Sequence, residues 1–191
     1  METDIKNIRN YLAGDATAFY KIYTRYERPL FFYIRSMTRP KEDAKDVFQD
    51  VWIQALNKLS TFSCNYSFRN WLYAIARNKI IDRARKSNRV NVISLDDESY
   101  SEGEQTLHDF LADPAPDIVQ QLTIKEVRET MYELVELLPE THREVFLLRC
   151  DAEMKFREIA EMLGVSINIV LGRMHSAVKQ IRKELQNKFE L

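Results

Sequence analysis

The residues best suited to handling nucleic acid are gathered in one stretch, Phe68 to Arg89 (FRNWLYAIARNKIIDRARKSNR). It opens on Phe68, Trp71, Leu72, Tyr73 and Ile75 and closes on Arg77, Lys79, Arg83, Arg85, Lys86 and Arg89, with Asp82 as its one acid. Aromatic faces accept unstacked bases at roughly 1–3 kcal/mol per base, and cations along a helix neutralise phosphates with a salt-dependent gain. The same pattern also describes a core helix with a solvated, charged end, and alone it leaves both readings open. Catalysis finds less support. There is no HExxH, no Gly-rich phosphate loop and no CxxC. His108, His142 and His175 are scattered, and Cys150 has no metal-ligand spacing to them. No catalytic residue, metal site or cofactor is therefore expected.

Such a stretch needs a scaffold, and composition says which kind. With 191 residues the chain is long enough for one domain or two small ones. Only 4 Gly and 5 Pro argue against a fold of tight β-turns and for an all-α one. The net charge of -1 hides a segregation of cations from anions, which carries more information than the sum. Cys64 and Cys150 fit a reducing compartment better than a disulfide framework. No apolar run reaches the roughly 18 residues of a membrane span. The opening METDIKNIRNYLAG lacks a signal-peptide core, so a cytoplasmic location without membrane insertion is expected.

Residues 1–13 read as a short polar lead. Asp15 is placed to cap a helix in which Phe19, Ile22, Tyr23 and Tyr26 recur at helical spacing. Pro29 is expected to kink or end it, with a second helical run through Met37. After Pro40 the chain restarts, with Glu42 and Asp43 at a helix N-terminus. Ala44, Val47, Phe48, Val51, Ala55, Leu56 and Leu59 mark its buried face. Asp46, Gln49, Asp50 and Ile53 lie on or beside the other face, which is either solvated or a docking surface for a partner helix. A polar loop carrying Phe62 and Tyr66 then leads to Ser67, a cap for the aromatic–basic helix.

From Val90 to Pro116 there is no Lys or Arg, and seven acids are spread among Ser, Gly and Pro. That composition reads as a flexible acidic linker between two helical domains, 14–89 and 117–191. In the second domain Ile118, Leu122, Val127, Met131, Leu134, Val135 and Leu138 supply one apolar side. Pro139 opens the next helix, which buries Val145 and Phe146. Ile159, Ala160 and Leu163 end at Gly164, and Ser166 caps a restart at Ile167. Two helices joined in this way form a helix-turn-helix pattern. On its second helix Val170, Met174, Ala177, Ile181 and Leu185 point inward, while Asn168, Gly172, His175, Ser176, Lys179 and Lys183 point out, with Leu171 and Arg173 at the flanks.

In this order, the motifs resemble the bacterial RNA polymerase sigma factors of the sigma-70 family, in the small extracytoplasmic-function group. Glu42-Asp43-Ala44, Asp46 and Gln49-Asp50-Val51-Trp52 look like the family's region 2.2. Trp71-Leu72, Ile75-Ala76, Asn78, Asp82 and Arg85 look like regions 2.3 and 2.4. Leu138-Pro139, Arg143-Glu144-Val145-Phe146, Glu158-Ile159-Ala160 and Leu163-Gly164-Val165-Ser166 look like region 4.

The resemblance implies a specificity subunit without catalysis of its own, binding the β′ and β subunits of core RNA polymerase. Asp46, Gln49, Asp50 and Ile53 would dock on polymerase. Phe62, Tyr66, Trp71, Tyr73, Arg77, Asn78, Arg83, Arg85 and Lys86 would engage the −10 element and help open it. Asn168, Arg173, His175, Ser176 and Lys179 would read the −35 element as duplex. The acidic linker would thread channels of the polymerase. With no match to the autoinhibitory N-terminal domain of large sigma factors, control by an anti-sigma protein is expected. Ile169, Leu171, Gly172 and Ser176 depart from the family pattern, so −35 contacts should be weaker or of unusual sequence. A polymerase-independent helix-turn-helix regulator is the alternative; it accounts for 139–188 and not for the aromatic–basic helix.

Overall fold

The computed structural model describes residues 2–63, 67–86 and 124–189. Cys64, Tyr66, Arg89, the acidic stretch 90–116 and the apolar positions Ile118 and Leu122 lie outside the described residues, as does the side chain of Val127. The described residues are helical, with no strand among them. They form α1 (Glu2–Leu12), α2 (Ala16–Met37), α3 (Ala44–Lys58), α4 (Phe68–Lys86), α5 (Ile124–Glu136), α6 (Glu140–Cys150), α7 (Phe156–Leu163) and α8 (Ile167–Phe189). Two compact units result: 1–94 with Leu147–Glu158, and 95–146 with Ile159–Leu191.

The first unit is built on α2. Asp15 caps it, its Oδ1 accepting from the Thr17 amide at 2.9 Å. Ala18, Ile22, Tyr26, Leu30, Tyr33, Ile34 and Met37 follow one another at three- and four-residue steps and are buried. This packing corrects one half of the expectation at Pro29: α2 does not end there but continues through it to Met37. A proline inside a helix removes one backbone bond and crowds the preceding turn, at about 3 kcal/mol or more. The buried side chains on either side, Tyr26, Leu30, Tyr33 and Ile34, hold the helix against that cost.

The opening residues are also more than a lead. They form α1, which packs on α2 through Ile8 and through Asp4, only 5% exposed. The Asp4 carboxylate accepts from Arg25 Nη1 at 2.6 Å and from the Tyr26 hydroxyl at 2.7 Å. Burial first, and then that carboxylate, raise the Tyr26 phenol above its ordinary range. A buried carboxylate is tolerated only when paired and hydrogen-bonded, and both conditions are met here.

α3 lays Ala44, Val47, Val51, Trp52 and Ala55 against the neighbouring helices. α4 starts at Ser67, whose Oγ accepts from the Asn70 amide at 3.4 Å. Its buried set, Phe68, Leu72, Tyr73, Ile75, Ala76 and Ile80, faces α2 and α3.

In the second unit Leu134, Val135, Leu138, Val145 and Phe146 are buried, as are Val170, Met174, Ala177 and Ile181 of α8. Arg143, 8% exposed, is part of this core. Its Nε donates to the Val135 carbonyl at 3.1 Å, and its Nη2 donates to those of Glu136 and Leu138 at 2.8 Å each. One guanidinium thus bonds three carbonyls at and just beyond the C-terminus of α5, where helix carbonyls run out of intrahelical donors.

The turn into α8 follows from two residues. Gly164 takes φ +69, open to glycine and strained for side chains, and the Val165 amide donates back to the Ala160 carbonyl at 3.1 Å. Ser166 Oγ then accepts from the Ile169 amide at 3.3 Å. At the start of α7 the Glu158 carboxylate accepts from the Lys155 amide at 2.8 Å, closing the other end of the motif.

Candidate nucleic-acid interface

The aromatic part of α4 is a small cluster. Phe62 lies 5.1 Å from Trp71 and 5.7 Å from Phe68, ring centroid to centroid, and Phe68 lies 5.5 Å from Trp71. Phe68 is buried and touches Tyr26 from below, while Phe62 and Trp71 are half-buried and keep part of their surface in water. Tilted and edge-to-face contacts of this kind stiffen the rings they join. The cluster is a floor from which two aromatic groups reach solvent, set at the start of the basic helix.

Tyr73 does not belong to that surface. It is 1% exposed, with its ring 5.2 Å from Tyr33. Burial pushes its phenol well above the ordinary range. The assignment of Tyr73 to the −10 contacts is therefore corrected: helical spacing turns residue 73 inward with Ala76 and Ile80, beside Leu72. Tyr66, assigned with it, lies outside the described residues.

The cations of α4 are in different states. Arg85, Lys86 and the polar Asn78 are exposed, and Arg77 is half-buried. Arg83 is held by the protein: its Nε donates to Asp43 Oδ2 at 2.8 Å, and its Nη2 lies 4.0 Å from Asp46. The hydrogen bond and charge of Asp43 raise the Arg83 pKa above its usual value. Sequence periodicity has no way to find this tie, because the partners stand forty residues apart on different elements. It joins the DNA candidates of α4 to the docking candidates of α3. Among the latter, Asp46, Gln49 and Asp50 are exposed, and Ile53, 57% exposed, leaves an aliphatic side chain in water in their midst.

On α8, Asn168 and Lys179 are exposed, and Arg173, His175 and Ser176 are half-buried. Gly172 is buried, which corrects its placement on the outer face. The first turn shows two residues that the sequence reading passed over as candidates, Ile167 at 42% exposure and Ile169 at 39%. Among the described residues no group of His, Cys, Asp and Glu could hold a metal ion, and no helix is long and apolar enough to cross a membrane.

Comparison with known proteins agrees with this architecture. The family model for sigma-70 region 2 matches residues 22–90, and that for sigma-70 region 4 matches residues 128–181. The RNA polymerase sigma factor YlaC of Bacillus subtilis is 32% identical, covering 86% of this chain and 90% of its own length. The extracytoplasmic-function sigma factor SigW of the same organism is 29% identical, covering 95% of this chain and 96% of its own. Among solved structures, the sigma factor RpoE of Bartonella quintana, crystallised with the anti-sigma factor NepR, has the same fold, with a TM-score of 0.60 at 19% identity over 88% of this chain and 96% of that one. The matched regions bracket the helices that carry the aromatic cluster, the exposed acidic face of α3 and the helix-turn-helix: the chain belongs to the sigma-70 family of RNA polymerase sigma factors, in its extracytoplasmic-function group.

Proposed function

We propose that this sigma factor docks core RNA polymerase through the α3 face of Asp46, Gln49, Asp50 and Ile53, and opens the −10 element with the α4 cluster. The observation that carries this reading is the Phe62–Phe68–Trp71 ring cluster, half open to water at the head of a helix that ends in Arg85 and Lys86. A base drawn out of the duplex costs a few kcal/mol in lost pairing and stacking. Stacking on Trp71 or Phe62 returns roughly 1–3 kcal/mol per base, and Arg85 and Lys86 add phosphate contacts that fade with salt. α8 meets the −35 element as duplex, with Asn168 at its tip and Arg173, His175, Ser176 and Lys179 along its length.

The chain supplies placement and melting, and no catalysis of its own. Residues 90–116 join the two DNA-contacting modules, and the protein works in the cytoplasm, where the polymerase is. An anti-sigma protein is its partner when silent, a reading supported by the RpoE–NepR complex of the same fold. The test is permanganate probing of unpaired thymines on promoter DNA with purified core. Trp71→Ala is expected to keep core binding on native gels and to lower thymine reactivity by roughly 5- to 160-fold, the worth of one stacked base. Unchanged reactivity would overturn the role of the cluster. A chain that shifts DNA unaided and ignores core would overturn the whole reading.

A further inference from the structure

We infer that Ile169 reads the C5 methyl group of thymine in the upstream promoter element. The inference rests on the reading of α8 as the helix that enters the major groove. Three observations carry it.

The first turn of α8 holds Ile167, Asn168 and Ile169, and both isoleucines are exposed although the same helix buries Val170, Met174, Ala177 and Ile181 a few residues on. Ile169 lies seven residues, or two turns, ahead of Ser176 and so on the same side of the helix, roughly a third of a turn round from that buried row. The Ser166 cap bonds the Ile169 amide itself, so this residue is fixed in the first turn. The first residues of a recognition helix are the ones that reach base edges.

The second observation is what the tip lacks. Asn168 is the one polar side chain between Ile167 and Val170, and the cations begin only at Arg173 and continue with Lys179, Arg182 and Lys183. An aliphatic tip followed by a basic shaft suits base edges first and phosphates after. The third is the chemistry of the groove. Every hydrogen-bonding group on guanine, cytosine and adenine edges is left without a partner by an isoleucine, whereas thymine presents a methyl group there. The thymine methyl is the feature of duplex DNA that an isoleucine complements.

Deoxyuridine differs from thymidine by that methyl alone, which makes the test direct. Duplexes carrying a randomised upstream element are selected for binding by the full chain with core polymerase, then resynthesised with deoxyuridine at each thymine in turn. At one or two positions the wild-type complex is expected to bind about fourfold more weakly, which is the roughly 0.8 kcal/mol of one buried methyl-sized group. Ile169→Ala, whose side chain is exposed and whose helicity is checked by circular dichroism, is expected to bind both duplexes alike. An enriched element with no deoxyuridine effect, or an effect that persists in Ile169→Ala, overturns the inference and leaves the role of α8 standing. A selection that enriches no upstream sequence overturns both. If Ile169→Ala weakens core binding with no thymine dependence, the residue faces protein and the inference is wrong.

Discussion

Along α4 three of the groups suited to nucleic acid are held by the protein. Trp71 leans on Phe62 and Phe68, Tyr73 is buried against Tyr33, and Arg83 is tied to Asp43. Along the first turn of α8 there is a cap, one asparagine and two isoleucines standing in water. The contrast suits the two tasks proposed for these helices. Holding an extruded base calls for a rigid aromatic surface, because a loose ring loses in ordering what it gains in stacking. Reading an intact duplex calls for a helix that fits the groove and offers the right edge chemistry, and here that chemistry is mostly apolar.

The comparison can be broken most forcefully at the scaffold. Leu72, next to Trp71 in α4, is fully buried, and Leu72→Ala should destabilise the first unit by about 2–5 kcal/mol in urea unfolding. Tyr73→Phe separates core from contact. Its hydroxyl is buried and finds no hydrogen-bond partner among the described residues, so removing it should leave stability equal or slightly higher and promoter opening unchanged. A loss of opening would return Tyr73 to the DNA surface. In the second unit Arg143→Ala should cost about 1–3 kcal/mol, because carbonyls at the end of α5 lose their donor. Lysine should rescue it poorly, lacking the planar fork.

Smaller effects sharpen the electrostatic side. Arg85→Ala and Lys86→Ala should each lower the salt slope of promoter binding by about 0.9 if each meets one phosphate. Arg83→Ala should lower it less, since Asp43 already neutralises that charge. The smallest effect sits at the start of α2. The Thr17 hydroxyl, bonded to Asp15, holds the Asp15 carboxyl below its ordinary 3.8. Its contribution is therefore complete above that value and lost as pH falls through the lowered one. Asp15→Asn keeps a cap and should flatten this acid limb of the melting curve.

Much of this was readable before the fold. The Asp15, Ser67 and Ser166 caps, the Gly164 turn and the inward row of α8 follow from residue type and spacing. What stayed hidden depends on groups far apart in the chain. Pro29 passes through α2 because tertiary packing outweighs a local preference. The lead became α1 through Asp4 meeting Arg25 and Tyr26, although Asp4, Ile8 and Tyr11 already stood at helical spacing. Tyr73 was placed by residue type where helical phase should have decided. Arg83 found its acid across forty residues, which no window of sequence contains.

The proposed role of the ring cluster is to hold bases out of the duplex for a polymerase that the chain has brought to the site. The most direct measurement compares wild type and Trp71→Ala for start-site-specific transcription by purified core polymerase, on a duplex promoter and on one pre-melted around −10. Wild type is expected to initiate on both, and the variant to fail on the duplex and to regain much of its activity on the pre-melted template. Equal activity of the two proteins on the duplex would contradict it.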